Sequence, residues 1–392
     1  MLPLAGITIL SLEQAVAAPF ATRQLAELGA RVIKVERPGD GDFARRYDAA
    51  VRGQSSYFVW LNRSKESLTL DLKHPEARHI LQQLLEQADV FVQNLAPGAA
   101  ERLGLGQEEL AQRHPRLIAC SVSGYGSSGP YRDKKAYDLL VQAETGLLSV
   151  TGTPDTLARA GISAADIAAG MYAFAGILTA LYQRERTGQG TTFEVSLFDA
   201  LGEWMGYPAY FAAYSGAPPP RSGLNHPTIA PYGPFRAGDG KLLILSVQNE
   251  REWVSFCTTV LEQPELATDP RYTTNARRAA NREALHAIID AVFSKLSAEE
   301  IIARLDQAQI ANAHLNTMSE FWDHQQLAAR QRWREVDTPN GPIRALLPPV
   351  IMRGSTPRMD PIPAVGEHTE QILRSIGYTD EQISRLRAEG AI

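Results

Sequence analysis

The chain has 392 residues, 44% of them hydrophobic and 21% charged, and a net charge of −5. That length exceeds one ordinary core and predicts two domains, while the acidic balance leaves no basic footprint for nucleic acid. Two cysteines, Cys120 and Cys257, give no disulfide framework and fit a reducing compartment.

The N-terminus MLPLAGITIL lacks the charged region and cleavage site of a signal peptide. No stretch reads as the roughly 20 apolar residues of a membrane span, so a cytoplasmic protein is expected. Residues 7–12 read as a strand, 17–28 as a helix closed by Gly29, and 31–36 (RVIKVE) as a second strand. This βαβ unit predicts a parallel sheet. Glu36, at the end of the second strand, sits where NAD enzymes keep a ribose-binding acid. The first turn, SLEQAVAAP, has no glycine, however, and a pyrophosphate needs close backbone approach there. A nicotinamide or flavin site is therefore not expected.

Further strands are predicted at 67–72, 89–94 and 116–123, with a helix from Pro75 to about Gln87 and two short helices after the loop APG. Cys120, inside LIACSV, reads as a buried core thiol. Ligands of open α/β sheets bind beyond the carboxyl ends of the strands. The segments after Leu12, Glu36, Asn94 and Ser123 are thus candidate site loops.

The segment Gly161–Ala200 reads as a helix start, a buried helix, a turn and a strand. Ser163 is the expected N-cap, with Asp166 three residues on as in a capping box. Ile167, Met171, Phe174, Leu178 and Leu181 recur at helical spacing, and small residues fill the other faces, which predicts burial nearly all round. Arg184, Arg186 and Gly188 suit the helix end. Asp166 is then either a plain N-terminal helix acid or a carboxylate held for nucleophilic or basic work.

An apolar helix follows to about Tyr214. The Pro/Gly-rich segment GAPPPRSGLNHPTIAPYGP marks a domain boundary near residue 220. A smaller α+β domain is expected over 221–330, with a strand at 241–247, a helix from Glu250 to Leu261 and two amphipathic helices over 281–307. Many prolines over 325–365 predict a long extended return, and 367–388 two short helices. No histidine pair has metal spacing, and HExxH, GxSxG and GxxxxGK[ST] are absent, so no metal centre, nucleophile elbow or phosphate loop is expected.

The segments LAELGARVIKVERPGDGDFAR, LNRSKESLTLDLKHPEA, VFVQNLAPGAAERLGL and ADIAAGMYAFAGILTALYQRERTGQG resemble, in order, motifs of the family III CoA-transferases, the formyl-CoA and carnitine-CoA transferase group. HPTIAPYGPFRAGDGK resembles the start of that family's small domain. The resemblance implies an α/β fold: a Rossmann-like large domain with a parallel sheet, begun by 1–220 and completed by 331–392, plus the small domain. It implies two ring-like subunits interlocked as a homodimer, no permanently bound cofactor, and a coenzyme A thioester as substrate. Asp166 falls at the position of the family's nucleophile. CoA is then expected near Ala15, Val16, Arg37, Leu70, Lys73, Asn94, Leu95, Arg102, Leu103, Lys135 and Tyr137. The cations among these suit phosphates, and the leucines suit an adenine sandwich. Plain core remains the alternative for Leu70 and Leu95, and a solvated helix position for Arg102.

The pattern looks most like the subgroup that moves CoA from succinyl-CoA to itaconate, citramalate, malate, mesaconate or glutarate. A distal carboxylate needs a cation or several donors, for which Arg45, Arg46, Arg52 and His226 are the candidates. Arg45 matches the family's GDxxR position and is equally readable as a structural ion pair. The region PPPRSGLNHPTIAPYG lacks the glycine-rich loop of formyl-CoA transferase, and Val16 stands where that enzyme has glutamine, which argues against oxalate or formate. The rival reading is an α-methylacyl-CoA racemase on the same fold. Its relatives place a His before the Asp where this chain has Tyr137 before Asp138. A CoA-binding protein without turnover is the alternative outside enzymology.

Overall fold

The computed structural model describes residues 1–392. In chain order the first elements are β1 (Thr8–Leu12), α1 (Ala17–Glu27), β2 (Arg31–Glu36), α2 (Ser56–Leu61), β3 (Lys65–Thr69), α3 (Pro75–Gln87), β4 (Val90–Gln93), α4 (Ala99–Arg102) and α5 (Gln107–Arg113). Then come β5 (Ile118–Ser123), α6 (Asp138–Glu144), α7 (Leu147–Val150), α8 (Ala164–Thr187), β6 (Thr191–Ser196), α9 (Leu197–Trp204) and α10 (Gly206–Ser215). The rest are β7 (Tyr232–Arg236), β8 (Leu242–Ser246), α11 (Glu250–Ser255), α12 (Asn275–Ala280), α13 (Arg282–Phe293), α14 (Ala298–Gln307), β9 (Ala311–His314), α15 (Met318–Trp322), α16 (Gln325–Ala329), β10 (Trp333–Val336), β11 (Ile343–Leu346), α17 (Thr369–Ser375) and α18 (Asp380–Ala388).

The chain divides into two compact units. One comprises Met1–Leu147, Ala160–Tyr207 and Leu327–Ile392; the other comprises Leu148–Arg159 and Pro208–Gln326. The division falls at Pro208, ahead of the Pro/Gly-rich segment, and assigns 148–159 to the second unit.

The first unit is built on a parallel sheet in the order β3-β2-β1-β4-β5-β6. β1 pairs with β2 on one side (Ile9 opposite Val32) and with β4 on the other (Ile9 opposite Val90). Strand order therefore reverses at β1 and β4, and a crevice opens beyond Leu12 and Gln93. Strands β1 to β5 are buried on both faces for most of their length, as parallel strands must be when helices cover each side, whereas the edge strand β6 is only half-buried. Ile9, Val32, Val90, Val92, Ile118 and Cys120 face α1 and α8. Leu10, Ile33, Leu68 and Phe91 face the other way, onto Ile80 and Leu84 of α3 and onto Ile372, Leu373, Ile383 and Leu386 of α17 and α18. The end of the chain thus supplies part of the second helical layer. The return segment is not extended throughout, because β10 and β11 form an antiparallel hairpin with Trp333 opposite Leu346.

The contact between α1 and α8 explains the small residues of α8. Ala165, Ala168, Ala169 and Ala173 are fully buried. A Cβ on Gly170 would lie 2.6 Å from the Ala17 carbonyl oxygen, and one on Gly176 would lie 2.6 Å from the Phe193 ring. Burial is one-sided, contrary to the sequence expectation: Met171 and Tyr172 are each 39% exposed. The helix also meets the length and composition of a membrane span, although its Ala/Gly face is part of the core.

In the second unit, β7, β8 and β9 form an antiparallel sheet against a core containing Trp253, Phe256, Tyr272, Phe293, Ile301 and Leu305. The helix expected from Glu250 to Leu261 continues past Ser255 as a π-helical turn over Phe256–Val260.

Candidate active site

The crevice at the reversal of strand order is a cavity of about 720 Å³. Its walls come from the turns after β1 (Glu13, Gln14), β2 (Arg37, Pro38, Gly41, Asp42), β3 (Leu70 to Lys73) and β4 (Leu95), with Arg102 and Leu103 at the end of α4. Arg37, Lys73 and Arg102 carry no ion pair. Gly98, at φ 71, leaves room for Arg102, whose guanidinium lies 2.9 Å from where a Cβ would be.

Most acids of the same walls are already neutralised. Arg45 donates to both oxygens of Glu36, at 2.8 and 2.7 Å. That ion pair, with a hydrogen bond from Ser67, holds the buried Glu36 carboxyl down at about 2 against the cost of burial. Lys65 donates to Glu13 at 2.6 Å and Lys34 to Asp42 at 2.7 Å, all with fully buried side chains. The free charge facing the cavity is therefore mainly positive, as a polyanionic ligand requires.

Asp166 sits in the first turn of α8, where Ser163 occupies the N-cap position but makes no side-chain cap bond. The cap is supplied from elsewhere in the chain. One oxygen of Asp138 accepts from the N–H of Ala165 at 2.8 Å and of Asp166 at 3.4 Å. Its other oxygen accepts from Gln142 Nε2 at 2.7 Å. Asp138 thus satisfies orphan donors of the helix start and brings a second negative charge beside Asp166. Burial first, and then that charge, push the Asp166 carboxyl up to about 7. Such a carboxylate is more basic, and hence a better nucleophile, than an ordinary solvated one, and the half-buried residue stays open to a substrate.

Tyr47, 47% exposed, lies within electrostatic reach of both this corner and the cavity wall: partial desolvation first, and then the charges of Asp42 and Asp166, push its phenol up to about 12. No motif pointed to Tyr47. Asp138 had entered only through its neighbour Tyr137, and its capping role depends on a contact between residues far apart in sequence.

Of the residues expected near CoA, the cavity wall brings together Arg37, Leu70, Lys73, Leu95, Arg102 and Leu103. Leu70 is also core, on the α3 face of the sheet. Asn94 lies beside the wall but its amide is committed to the backbone of Gln14, accepting from the N–H and donating to the carbonyl, both at 2.8 Å. Ala15 and Val16 form the turn into α1, Ala15 with φ 61 and Val16 as the uncapped start of the helix. Lys135 is exposed and Tyr137 is 68% exposed, both outside the cavity wall.

Of the candidates for an acceptor carboxylate, Arg45 proves to be the structural ion pair. Besides gripping Glu36 it stacks 3.7 Å over the Phe58 ring and donates to the Pro363 carbonyl at 3.2 Å. Arg46 pairs with Asp40 on the surface. Arg52 is exposed at φ 51, its carbonyl accepting from Asn340. His226, in the second unit, stacks on Tyr232 at 5.2 Å. Its Nδ1 accepts from the N–H groups of Thr228 and Ile229 at 3.3 and 3.2 Å, which leaves the proton on Nε2.

A crevice with unpaired cations, and a half-buried, raised carboxylate at a helix start in the same unit, together suit an enzyme that handles a large anionic substrate. The sequence profile described as CoA-transferase family III matches residues 4–369, and the chain belongs to that family. It is 39% identical to the acetyl-CoA:oxalate CoA-transferase of Acetobacter aceti, over 84% of each chain. It is 33% identical to the succinyl-CoA:glutarate CoA-transferase of Mus musculus, over 100% of this chain and 91% of that one. The crystal structure of a CAIB/BAIF family protein from Brucella suis superposes with a TM-score of 0.85 at 32% identity, covering 96% of this chain and 99% of that one.

If the cavity holds the nucleotide end of CoA, Lys73→Ala and Arg102→Ala each remove one charge-assisted contact. Each variant is expected to raise KM for the acyl-CoA about tenfold or more with kcat nearly unchanged, the pattern of lost uniform binding. Steady-state kinetics at fixed ionic strength checks this; a fall in kcat at constant KM contradicts it.

Proposed function

We propose that this transferase moves CoA from succinyl-CoA to a C4 or C5 dicarboxylic acid, with Asp166 as the covalent nucleophile. The observation that carries the reading is the half-buried carboxyl of Asp166, set at the start of α8 by the Asp138 cap and raised by desolvation and then by the Asp138 charge, in the unit that holds the cationic crevice. Arg37, Lys73 and Arg102 hold the phosphates, and Leu95 and Leu103 flank the adenine.

One oxygen of Asp166 attacks the thioester carbonyl, the C–S bond breaks, and the CoA thiolate leaves an aspartyl–succinyl anhydride. The thiolate then attacks the aspartyl carbonyl, releasing succinate and leaving an aspartyl–CoA thioester. The acceptor carboxylate displaces CoA from Asp166 to form a new anhydride, and the thiolate attacks its acceptor-side carbonyl. Acyl-CoA product leaves and the Asp166 carboxylate is restored. Each step exchanges one activated acyl bond for another, so the thioester energy is kept. Water must be excluded, because the anhydride hydrolyses; the Ala/Gly face of α8, packed without gaps on α1, contributes to that.

With Arg45 and Arg46 committed to acids, Arg52 is the remaining candidate for the distal carboxylate in the unit that holds Asp166. The chain works as an interlocked homodimer in this reading, which is consistent with the apolar exposure of Met171, Tyr172, Tyr182 and Trp204; light scattering that reads a monomer removes that part. The substrate test is a panel of glutarate, malate, citramalate, itaconate, mesaconate and oxalate with succinyl-CoA as donor. A C4 or C5 dicarboxylate is expected to give the highest kcat/KM. Oxalate as the best acceptor, or acetyl-CoA as the best donor, would overturn the substrate assignment while leaving the chemistry at Asp166 intact.

A further inference from the structure

The turn between β1 and α1 joins the two halves of the site. Gln14 lies in the cavity wall. Ala17, three residues on, touches α8 at Gly170, one helical turn beyond Asp166. Whatever fixes Gln14, Ala15 and Val16 therefore fixes the distance between the crevice and Asp166.

The turn is gripped from two sides. Asn94, at the end of β4, bonds both backbone polar groups of Gln14. Asp42, from the turn after β2, accepts from the N–H of Ala15 at 3.2 Å and of Ala44 at 2.9 Å on one oxygen. Its other oxygen takes Lys34 Nζ at 2.7 Å. Lys34 also donates to the Glu13 carbonyl at 3.3 Å. Lys65 continues the lattice, joining the Glu13 carboxylate at 2.6 Å to the Pro19 carbonyl in the first turn of α1 at 3.1 Å. Thr22 closes it by donating to the other Glu13 oxygen at 2.6 Å. Lys34, Lys65 and Glu13 have no solvent exposure in their side chains. Between these anchors stands Ala15, a residue with a Cβ held at φ 61, where glycine is the relaxed choice. The lattice enforces a conformation that the residue itself disfavours, which is the mark of a position held for function.

We propose that the Gln14–Val16 turn is the spacer that sets the reach from bound CoA to Asp166, and that Asp42 and Asn94 are the positioning residues that clamp it. The proposal rests on the reading of Asp166 as the nucleophile. A turn released from the clamp carries Val16 and the start of α1 with it, misplacing the thioester relative to Asp166 while the more distant cations still hold CoA. A misplacement of about 1 Å costs about 100-fold in such a reaction.

The test uses Asp42→Asn, Asn94→Ala and the double variant Asp42→Asn/Ala15→Gly in the full-length enzyme. In Asp42→Asn the buried Lys34 ammonium takes the one remaining oxygen, which turns the amide NH2 toward the N–H groups of Ala15 and Ala44 and releases the clamp there without changing the packing; Asn94→Ala disturbs no charge, so the two variants are independent. Three quantities are read: the urea unfolding midpoint, the Kd for free coenzyme A, and the single-turnover rate of Asp166 acylation by succinyl-CoA. Both single variants are expected to acylate about 30-fold or more slowly with Kd within about threefold of the parent. Ala15→Gly is expected to restore at least about fivefold in the Asp42→Asn background, because glycine keeps the left-handed turn without the clamp. Loss of acylation that merely tracks the unfolding midpoint, or no recovery from Ala15→Gly, overturns the proposal. Asp166→Asn, run alongside, separates the two readings. Turnover surviving there removes the nucleophile and the clamp proposal with it, whereas normal acylation in the single variants removes the clamp alone.

Discussion

Asp166→Asn is expected to lower kcat by at least about four orders of magnitude, because it removes the carboxylate on which CoA is held between donor and acceptor. The substitution is nearly isosteric, and the cap that positions residue 166 uses its backbone N–H, not its side chain. The fold and the CoA crevice should therefore survive, with the Kd for free coenzyme A within about threefold of the parent. The same variant should be more stable than the parent in alkaline solution. The folded-state carboxyl of Asp166 is raised to about 7 from an ordinary 3.8. Such a group contributes stability that is fully present below about pH 4 and is lost as pH rises through 7, where the fold must hold a desolvated charge beside Asp138. Asparagine carries no such charge. Urea unfolding at pH 8 should show a gain on the order of 1–2 kcal/mol for Asp166→Asn that shrinks at pH 5. A gain equal at both pH values would mean that Asp166 is not held in a charge-disfavouring site.

The second large effect concerns pH. The attacking form of Asp166 is the carboxylate, so kcat/KM for the acyl-CoA should fall on the acid side with an apparent pKa near 7. Asp138 is the second cause of that elevation, after burial. Asp138→Asn retains an oxygen to cap α8 and removes the charge, at the cost of turning an amide toward Gln142. The acid limb should then move to lower pH without reaching the ordinary carboxylate range, raising kcat/KM at pH 6 relative to pH 8 several-fold. Asp138→Ala loses the cap as well, costing about 1 kcal/mol of stability and lowering kcat. An acid limb that stays in place in Asp138→Asn would show that Asp138 acts on α8 through the cap alone.

Much of this architecture was legible in the chain. The βαβ opening and the buried apolar runs predicted a parallel sheet, and the position of ligands beyond the strand ends followed from that topology. Arg37, Lys73 and Arg102, named through the family resemblance, lie in the cavity wall together. What local pattern could not supply was partnership across distance. Ser163 looked like the cap of α8, yet the capping carboxylate comes from Asp138, because N-cap propensity says nothing about a competing acid brought up by another helix. The Ala/Gly stripe correctly predicted close packing but not the exposure of Met171 and Tyr172. Lys34 offered an unused signal: a lysine inside RVIKVE, a strand buried on both faces, demands a buried carboxylate, and Asp42 and Glu13 supply it. Arg45 shows the reverse limit. Its motif position was compatible with substrate or structure, and only the geometry of Glu36 and Phe58 decided between them.

CoA passes from donor to acceptor through a covalent bond to Asp166 in this mechanism. The most direct test incubates the enzyme with succinyl-CoA and hydroxylamine, without acceptor, and maps the product by mass spectrometry. The expected product is a hydroxamate on Asp166 that is absent from Asp166→Asn. An unmodified Asp166, with deuterium taken up from solvent at the α-carbon of the acyl-CoA, would contradict it and favour racemase-type proton transfer instead.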